Sequence, residues 1–448
     1  MRLQFHADFP LDAALPLIPY FADLGISHVY SSPLLTSRPG SSHGYDTVDH
    51  GTLDPEAGGE VALRRLVAEL RTHGMGLILD IVPNHMGVGG ADNRVWLDVL
   101  EWGRESDDAD VFDIDWAPPD AALAGKVLVP VLGAPYGEAL KSGTVTLAYD
   151  AARGEFQARH YGHVFPICPR HYGLLLAGAA DEALAGLGID CSDLPAGREG
   201  KAAAIACKER LAMFVAENGP ENLSPVLAAF DATDPEGCRR LHDLLERQNF
   251  RLAWWRTAND DLNWRRFFDI TELAGVQVER QDVFERSHAL LFRLYAEGIV
   301  DGFRVDHVDG ISDPAGYCRR LRRRLEQLDA RRPPEAPEGG YLVVEKILHR
   351  GEKLPESWPV DGTTGYDFAA ACGGLFVDAA AEEPFTHLYQ NFIHTHPDFN
   401  EMVRANKHLI MEISLAGELQ VLATQLTRLA KGDRRTCDFT FNSLRGAL

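Results

Sequence analysis

Four short segments place polar or charged residues directly behind an apolar run, and between them they hold the side chains best suited to chemistry. In Gly302-Phe303-Arg304-Val305-Asp306-His307-Val308-Asp309, Arg304 and Asp306 stand two apart. On a strand they share one face. An arginine beside an aspartate lowers the carboxyl pKa and keeps it ionised, the state a nucleophile at a sugar anomeric carbon requires. The same spacing also serves a buried structural ion pair. Val343-Val344-Glu345-Lys346 ends on Glu345, 39 residues after Asp306, which is one β-to-β step plus a modest loop. A carboxyl partly walled by apolar groups has a raised pKa and can act as a general acid. A glutamate near a helix start is the plainer alternative. Asp80-Ile81-Val82-Pro83-Asn84-His85 either delivers Asn84 and His85 to the end of an apolar run or simply turns at Pro83. Gly44-Tyr45-Asp46-Thr47-Val48-Asp49-His50 offers Tyr45 to the apolar face of a sugar, or is an Asp-rich turn. Together the four are more specific than any one. Two carboxylates on adjacent strands, with Arg, His and Tyr around them, make a retaining glycosidase arrangement.

The elements that must position these groups alternate. The continuous apolar run at 76–82 suits a strand buried on both faces, as in a parallel sheet. Residues 2–5, 26–30, 299–305 and 341–344 read as further strands, and 355–368 contains one more. Residues 11–24, 61–73, 282–297 and 315–328 read as helices, the first three stopped by Gly25, Gly74 and Gly298. Residues 34–57, rich in Gly, Ser, Pro and Asp, read as a loop. Strand–helix alternation argues for an α/β fold of the (β/α)8 TIM-barrel type. About six parallel strands are visible where a closed barrel needs eight, so the expected barrel is incomplete. Residues 1–85 form its first part and 281–368 its second. Between them, after the third strand, 86–280 reads as a large, mixed, largely helical insertion. In it 126–131 is a strand, and 201–217 and 236–255 are helices. Residues 369–448 read as a helical extension, amphipathic at 419–429, that stops before the barrel is finished. Residues that follow the strands of such a barrel lie at its C-terminal rim, where active sites sit.

The chain has 448 residues, 45% apolar and 25% charged, with a net charge of −22. This excludes wholesale disorder, collagen and a disulfide miniprotein. So acidic a balance repels phosphate backbones, so no nucleic-acid partner is expected. The seven cysteines are scattered, odd in number and never spaced as C-x-x-C. They read as reduced thiols of a cytoplasmic protein, not as a disulfide framework or zinc site. No apolar signal region opens the chain, and no run nears the ~18 residues of a membrane span, so no membrane partner is expected. Oligomeric state is not legible.

The same segments resemble the signature regions of the alpha-amylase family, glycoside hydrolase family 13. Residues 80–85 resemble its first region, 302–306 its second and Glu345 its third. More specific matches to one transglycosylating branch of that family run along essentially the whole chain. They are Arg2-Leu3-Gln4-Phe5, Ser31-Ser32-Pro33, Arg38-Pro39-Gly40-Ser41 with His43-Gly44-Tyr45-Asp46, 129–137, 263–268, 361–368 and Asp433-Arg434-Arg435. The resemblance implies Asp306 as nucleophile and Glu345 as general acid/base, with Arg304 orienting Asp306. It implies His85, Tyr45 and Asn84 around the reacting glucose, His307 as a weaker candidate there, and Asp80 as a hydrogen-bonding support. The implied substrate is a maltooligosaccharide or other α-1,4-glucan, without cofactor or metal. The implied reaction is an intramolecular transglycosylation that turns the reducing-end α-1,4 linkage into an α,α-1,1 linkage with retention. The 86–280 stretch would then serve as the lid that keeps water out. A hydrolase or glucanotransferase of the same family, or an inactive fragment that only binds glucan, are the alternatives. The family's third carboxylate, an aspartate after a histidine late in the barrel, has no counterpart after Glu345.

Overall fold

The apolar run behind Asp80 becomes a strand buried at every position, because it lies between two other parallel strands. The computed structural model describes residues 1–337 and 339–448. Among the described residues six strands form one all-parallel sheet: β1 (Arg2–Leu3), β2 (His28–Ser31), β3 (Gly76–Ile81), β4 (Gly302–Val305), β5 (Tyr341–Val344) and β6 (Gly362–Thr363). Their order in space is their order in the chain. A doubly wound sheet reverses direction at a switch point; a barrel adds each strand on the same side. The sheet therefore winds as a barrel does.

Helices α1 (Gly59–Thr72), α2 (Gln281–Ala296) and α3 (Pro314–Asp329) precede β3, β4 and β5, and α4 (Tyr366–Gly374) follows β6. On α1 the residues Ala62, Leu63, Leu66, Val67 and Leu70 are buried, the apolar stripe at helical spacing that marked it in the sequence. At the N-terminal ends of the strands, buried Asp301 accepts the Leu77 backbone N–H (2.8 Å), both terminal nitrogens of Arg71 (2.8 Å each) and Arg332 Nη2 (3.2 Å). One carboxylate thus ties α1 and β3 to the residue that enters β4.

Three sequence expectations need correction. Residues 11–24 are not one helix. They form Leu11–Ala14, a 3₁₀ turn at Leu15–Leu17, and Ile18–Asp23. Pro16 and Pro19 lack the N–H groups a continuous helix would use. The 34–57 loop contains an antiparallel pair, Leu35–Ser37 with Thr47–Leu53, whose register shifts twice. The 236–255 helix is Pro235–Leu245 followed by a strand, Phe250–Trp254, that pairs in parallel with Val127–Leu132.

The chain divides into two compact units, Met1–Gly87 with Gly275–Ile410, and Val88–Ala274 with Met411–Leu448. The six-stranded sheet belongs to the first. The second contains the Val127–Leu132 pair, an antiparallel sheet of Val145–Asp150, Glu155–His160 and His163–Pro166, and the long helix Gly197–Asn218. Lys208 on that helix bridges buried Glu101 (2.5 Å) and Glu155 (3.1 Å). Helix Ala416–Lys431 is held in this unit by Glu418 against Arg266 (2.7 Å), whose side chain is 1% exposed. Among the described residues no single helix is long and apolar enough to cross a membrane.

Candidate active site

Parallel pairing places Asp80 on β3 directly beside Arg304 on β4, and Arg304 beside Val343 on β5. Alternation along β4 then puts Asp306 on the Arg304 face. Arg304 Nη1 donates to Asp80 Oδ1 (2.8 Å) and to Asp306 Oδ1 (2.7 Å), and Nη2 reaches Glu345 Oε1 at 3.0 Å. One guanidinium serves three carboxylates. The Glu345 backbone N–H donates to the Val305 carbonyl (2.8 Å), so the two strands that carry the candidate nucleophile and acid/base are immediate neighbours.

The three carboxylates have different surroundings. Asp80 is enclosed, its side chain 0% exposed. Its second oxygen accepts the hydroxyls of Tyr30 (2.8 Å) and Tyr45 (2.7 Å). With both oxygens occupied and no exposure, it supports the wall. Glu345 accepts the His307 backbone N–H on Oε2 (3.0 Å) and the Tyr366 hydroxyl on Oε1 (3.0 Å), and it hydrogen-bonds Asp306. His307 has a left-handed backbone (φ 44°), which costs a non-glycine residue on the order of 1 kcal/mol and aims its N–H at Glu345.

The electrostatics reverse the expectation drawn from sequence. Burial pushes Asp306 up to about 7, and Arg304 only partly opposes this because Asp80 and Glu345 share its charge. Burial also raises Asp80, against the pull of Arg304 and the two phenols. Glu345 is less enclosed. Burial raises it too, but Arg304, the His307 N–H and Tyr366 outweigh that and leave it below its ordinary value. One cation facing three carboxyls favours retention of a proton in the cluster. In the free site that proton is shared by the hydrogen-bonded Asp306 and Glu345 carboxyls.

The remaining candidates gather around Tyr45. His85 Nε2 lies 3.1 Å from the Tyr45 carbonyl, and His85 Nδ1 lies 3.3 Å from Asn84 Nδ2. A proton on Nε2 satisfies both contacts. Asn84 and His85 are buried and fix the Tyr45 backbone. Arg2 Nη2 donates to the Tyr45 hydroxyl (3.1 Å), and its guanidinium lies 5.4 Å from the centre of the Tyr30 ring. His307 contributes its main chain to Glu345. Among the described residues, no group of three or more His, Cys, Asp or Glu side chains is arranged to hold a metal.

Sequence reasoning brought together Arg304, Asp306, Glu345, Tyr45, Asn84 and His85, and the structure does the same. It overlooked Tyr30 and Tyr366. Tyr366 lies in the 361–368 segment noted for its resemblance, and an aromatic residue just after a strand end was the available signal.

A parallel sheet wound in chain order, with an Arg-bridged carboxylate pair at the ends of neighbouring strands, is similar to the arrangement of alpha-amylase-type catalytic domains. Residues 15–126 match the model of the alpha amylase catalytic domain. Over 416 residues the chain is 36% identical to a putative maltooligosyl trehalose synthase of Mycobacterium tuberculosis, covering 93% of this chain and 41% of that protein. The structure of maltooligosyltrehalose synthase from Arthrobacter ramosus matches with a TM-score of 0.70 at 33% identity, covering 95% of this chain and 44% of that one. A hypothetical maltooligosyl trehalose synthase of Sulfolobus tokodaii matches with a TM-score of 0.67 at 30% identity, covering 95% and 45%. The chain thus spans about two fifths of the length of the curated relatives it matches.

Proposed function

We propose that this chain carries the carboxylate pair of a maltooligosyltrehalose synthase, which converts the reducing-end α-1,4 linkage of a maltooligosaccharide into the α,α-1,1 linkage of trehalose. The observation that carries the reading is the Asp306–Arg304–Glu345 bridge on neighbouring strands, within a chain similar to such enzymes along nearly its whole length. Glu345 protonates the last glycosidic oxygen while Asp306 attacks the anomeric carbon. The freed glucose stays in place and returns through its own anomeric hydroxyl, whose proton goes back to Glu345 as Asp306 departs. Two inversions retain the α configuration.

Productive chemistry needs Asp306 as the anion and Glu345 protonated, whereas in the free site the pair shares its proton. Total protonation need not change. A retaining pair works at a separation of about 5–5.5 Å, so a sugar entering between the two carboxyls breaks their hydrogen bond. It also covers Glu345, which raises that carboxyl, and positive charge developing at the anomeric carbon favours ionised Asp306. The shared proton therefore settles on Glu345 as substrate binds. The chain spans about two fifths of the length of the relatives it matches, so the reaction is proposed for the whole protein.

The test is incubation of the chain with maltopentaose, following reducing ends and free glucose. Reducing ends that disappear with little glucose support the synthase. Reducing ends that increase assign a hydrolase of the same family. Binding without any product assigns a glucan-binding chain and rejects the synthase reading for it.

A further inference from the structure

Beside its hydrogen bond with the Asp306 carboxyl, the Glu345 carboxylate is held in the free site by three further donors: Arg304, the His307 main chain and Tyr366. Three donors on two oxygens favour the anion, so this cage suits a base. A general acid must carry a proton on one oxygen and present it to the leaving group, so one donor has to withdraw. Arg304 is 5% exposed and is also tied to Asp80 and Asp306. The His307 N–H belongs to the main chain of a constrained turn. Tyr366 is 42% exposed, and rotation of one side chain releases it.

Tyr366 is placed with care. β6 pairs with β5, Val343 beside Gly362 and Val344 beside Thr363. The Thr364 N–H donates to the Val344 carbonyl (3.2 Å), and Gly365 then turns in the left-handed region (φ 66°). Tyr366 begins α4 there, and Thr363 Oγ1 holds that helix start through Asp367 Oδ2 (2.5 Å). The turn sets the phenol over the strand end that carries Glu345.

We infer that Tyr366 is a positioning residue that selects the protonation state of Glu345, donating its hydroxyl when Glu345 acts as base and withdrawing when Glu345 acts as acid. This rests on the reading of Glu345 as the acid/base. The charged and titratable groups that face Glu345 are Arg304 and Asp306 from β4 and its end and Tyr366 from α4. Lys346 is next in sequence and is paired with Asp309 (3.3 Å) and Glu352 (3.0 Å).

The experiment is a carbon-13 NMR titration of the chain labelled at glutamate side-chain carboxyls, with Glu345→Gln identifying the Glu345 signal. Tyr366→Phe removes one exposed oxygen and should leave thermal stability and circular dichroism unchanged. Its Glu345 midpoint should rise by about half a pH unit or more. Gly365→Ala keeps the phenol but strains the left-handed turn, and should shift the midpoint in the same direction. In active protein the Glu345-dependent limb of the pH–rate profile should move with the midpoint. A midpoint unchanged in Tyr366→Phe overturns the inference. The titration needs no turnover, so an inactive wild-type chain would count against the synthase reading and leave this result to stand separately.

Discussion

Asp80 and Arg304 face each other in register across two parallel strands, 2.8 Å apart and almost wholly enclosed. The pair forms the floor of the candidate site, because the same guanidinium nitrogen continues to Asp306. The positions are separated by 224 residues of chain, yet the strand pairing makes them adjacent.

Removal of the Arg304 cation should therefore be costly. Arg304→Met keeps much of the volume and leaves buried Asp80 and Asp306 without their counterion. Breaking a buried pair from one side costs about 3–5 kcal/mol. Urea unfolding at pH 8 should show a loss of that order, shrinking towards pH 4 as the carboxyls take up protons. A loss below about 1 kcal/mol at pH 8 would show that the bridge adds nothing to the fold.

Asp306 should show the opposite sign. Its folded pKa of about 7 lies above the ordinary 3.8, so the folded state holds a proton that the unfolded state releases. The resulting stability is complete below pH 4 and is lost as pH rises through 7. Asp306→Asn cannot ionise and escapes that loss. Relative to wild type it should gain stability between pH 4 and pH 8, by up to a few kcal/mol less whatever its weaker contact with Arg304 forfeits. Turnover should be abolished at every pH. A difference in melting temperature that stays flat across this range would contradict the raised pKa.

These electrostatics mark the limit of what the sequence discloses. The apolar run that became β3, the Arg304–Asp306 spacing and the step to Glu345 were all legible, because each depends on residues close in the chain or on strand period. The sharing of Arg304 was not. It depends on Asp80, brought in by tertiary pairing, and it turns a simple ion pair into a cation among three carboxyls. The hairpin strand Thr47–Leu53 escaped notice because it is mostly polar and only its first two residues are buried. The strand Phe250–Trp254 reads as part of a helix in the sequence because Leu241, Leu244, Leu245, Phe250 and Leu252 keep an apolar spacing compatible with either structure until the chain breaks at 246–249.

Away from the site, Asp301 offers a separate test of the fold. It accepts the Leu77 N–H, Arg71 and Arg332, and the Arg332 side chain is 3% exposed. Asp301→Ala strands that arginine and should destabilise by about 3–5 kcal/mol. Asp301→Asn keeps an acceptor for Leu77 and should cost less. Neither should change the Glu345 titration midpoint, since Asp301 lies at the other end of the strands. Equal stability of Asp301→Ala and wild type in denaturant would remove the clamp from the account of the fold.

The final prediction concerns helix Glu382–Ile393. Phe385, Leu388, Tyr389 and Phe392 recur on it at i, i+3, i+4 and i+7, the spacing of one apolar face. All four are exposed, at 67%, 65%, 54% and 82%. A helix of this length is marginal in water unless its apolar face is buried, and contiguous exposed apolar surface drives association. The chain should therefore self-associate at tens of micromolar, read as a concentration-dependent mass in light scattering after size exclusion. Phe385→Ser with Phe392→Ser should return it towards the monomer mass. These side chains bury little within the chain, so the melting temperature of the double variant should stay within a degree or two of wild type. If wild type and double variant share one constant monomer mass over this range, this face is not the source of association.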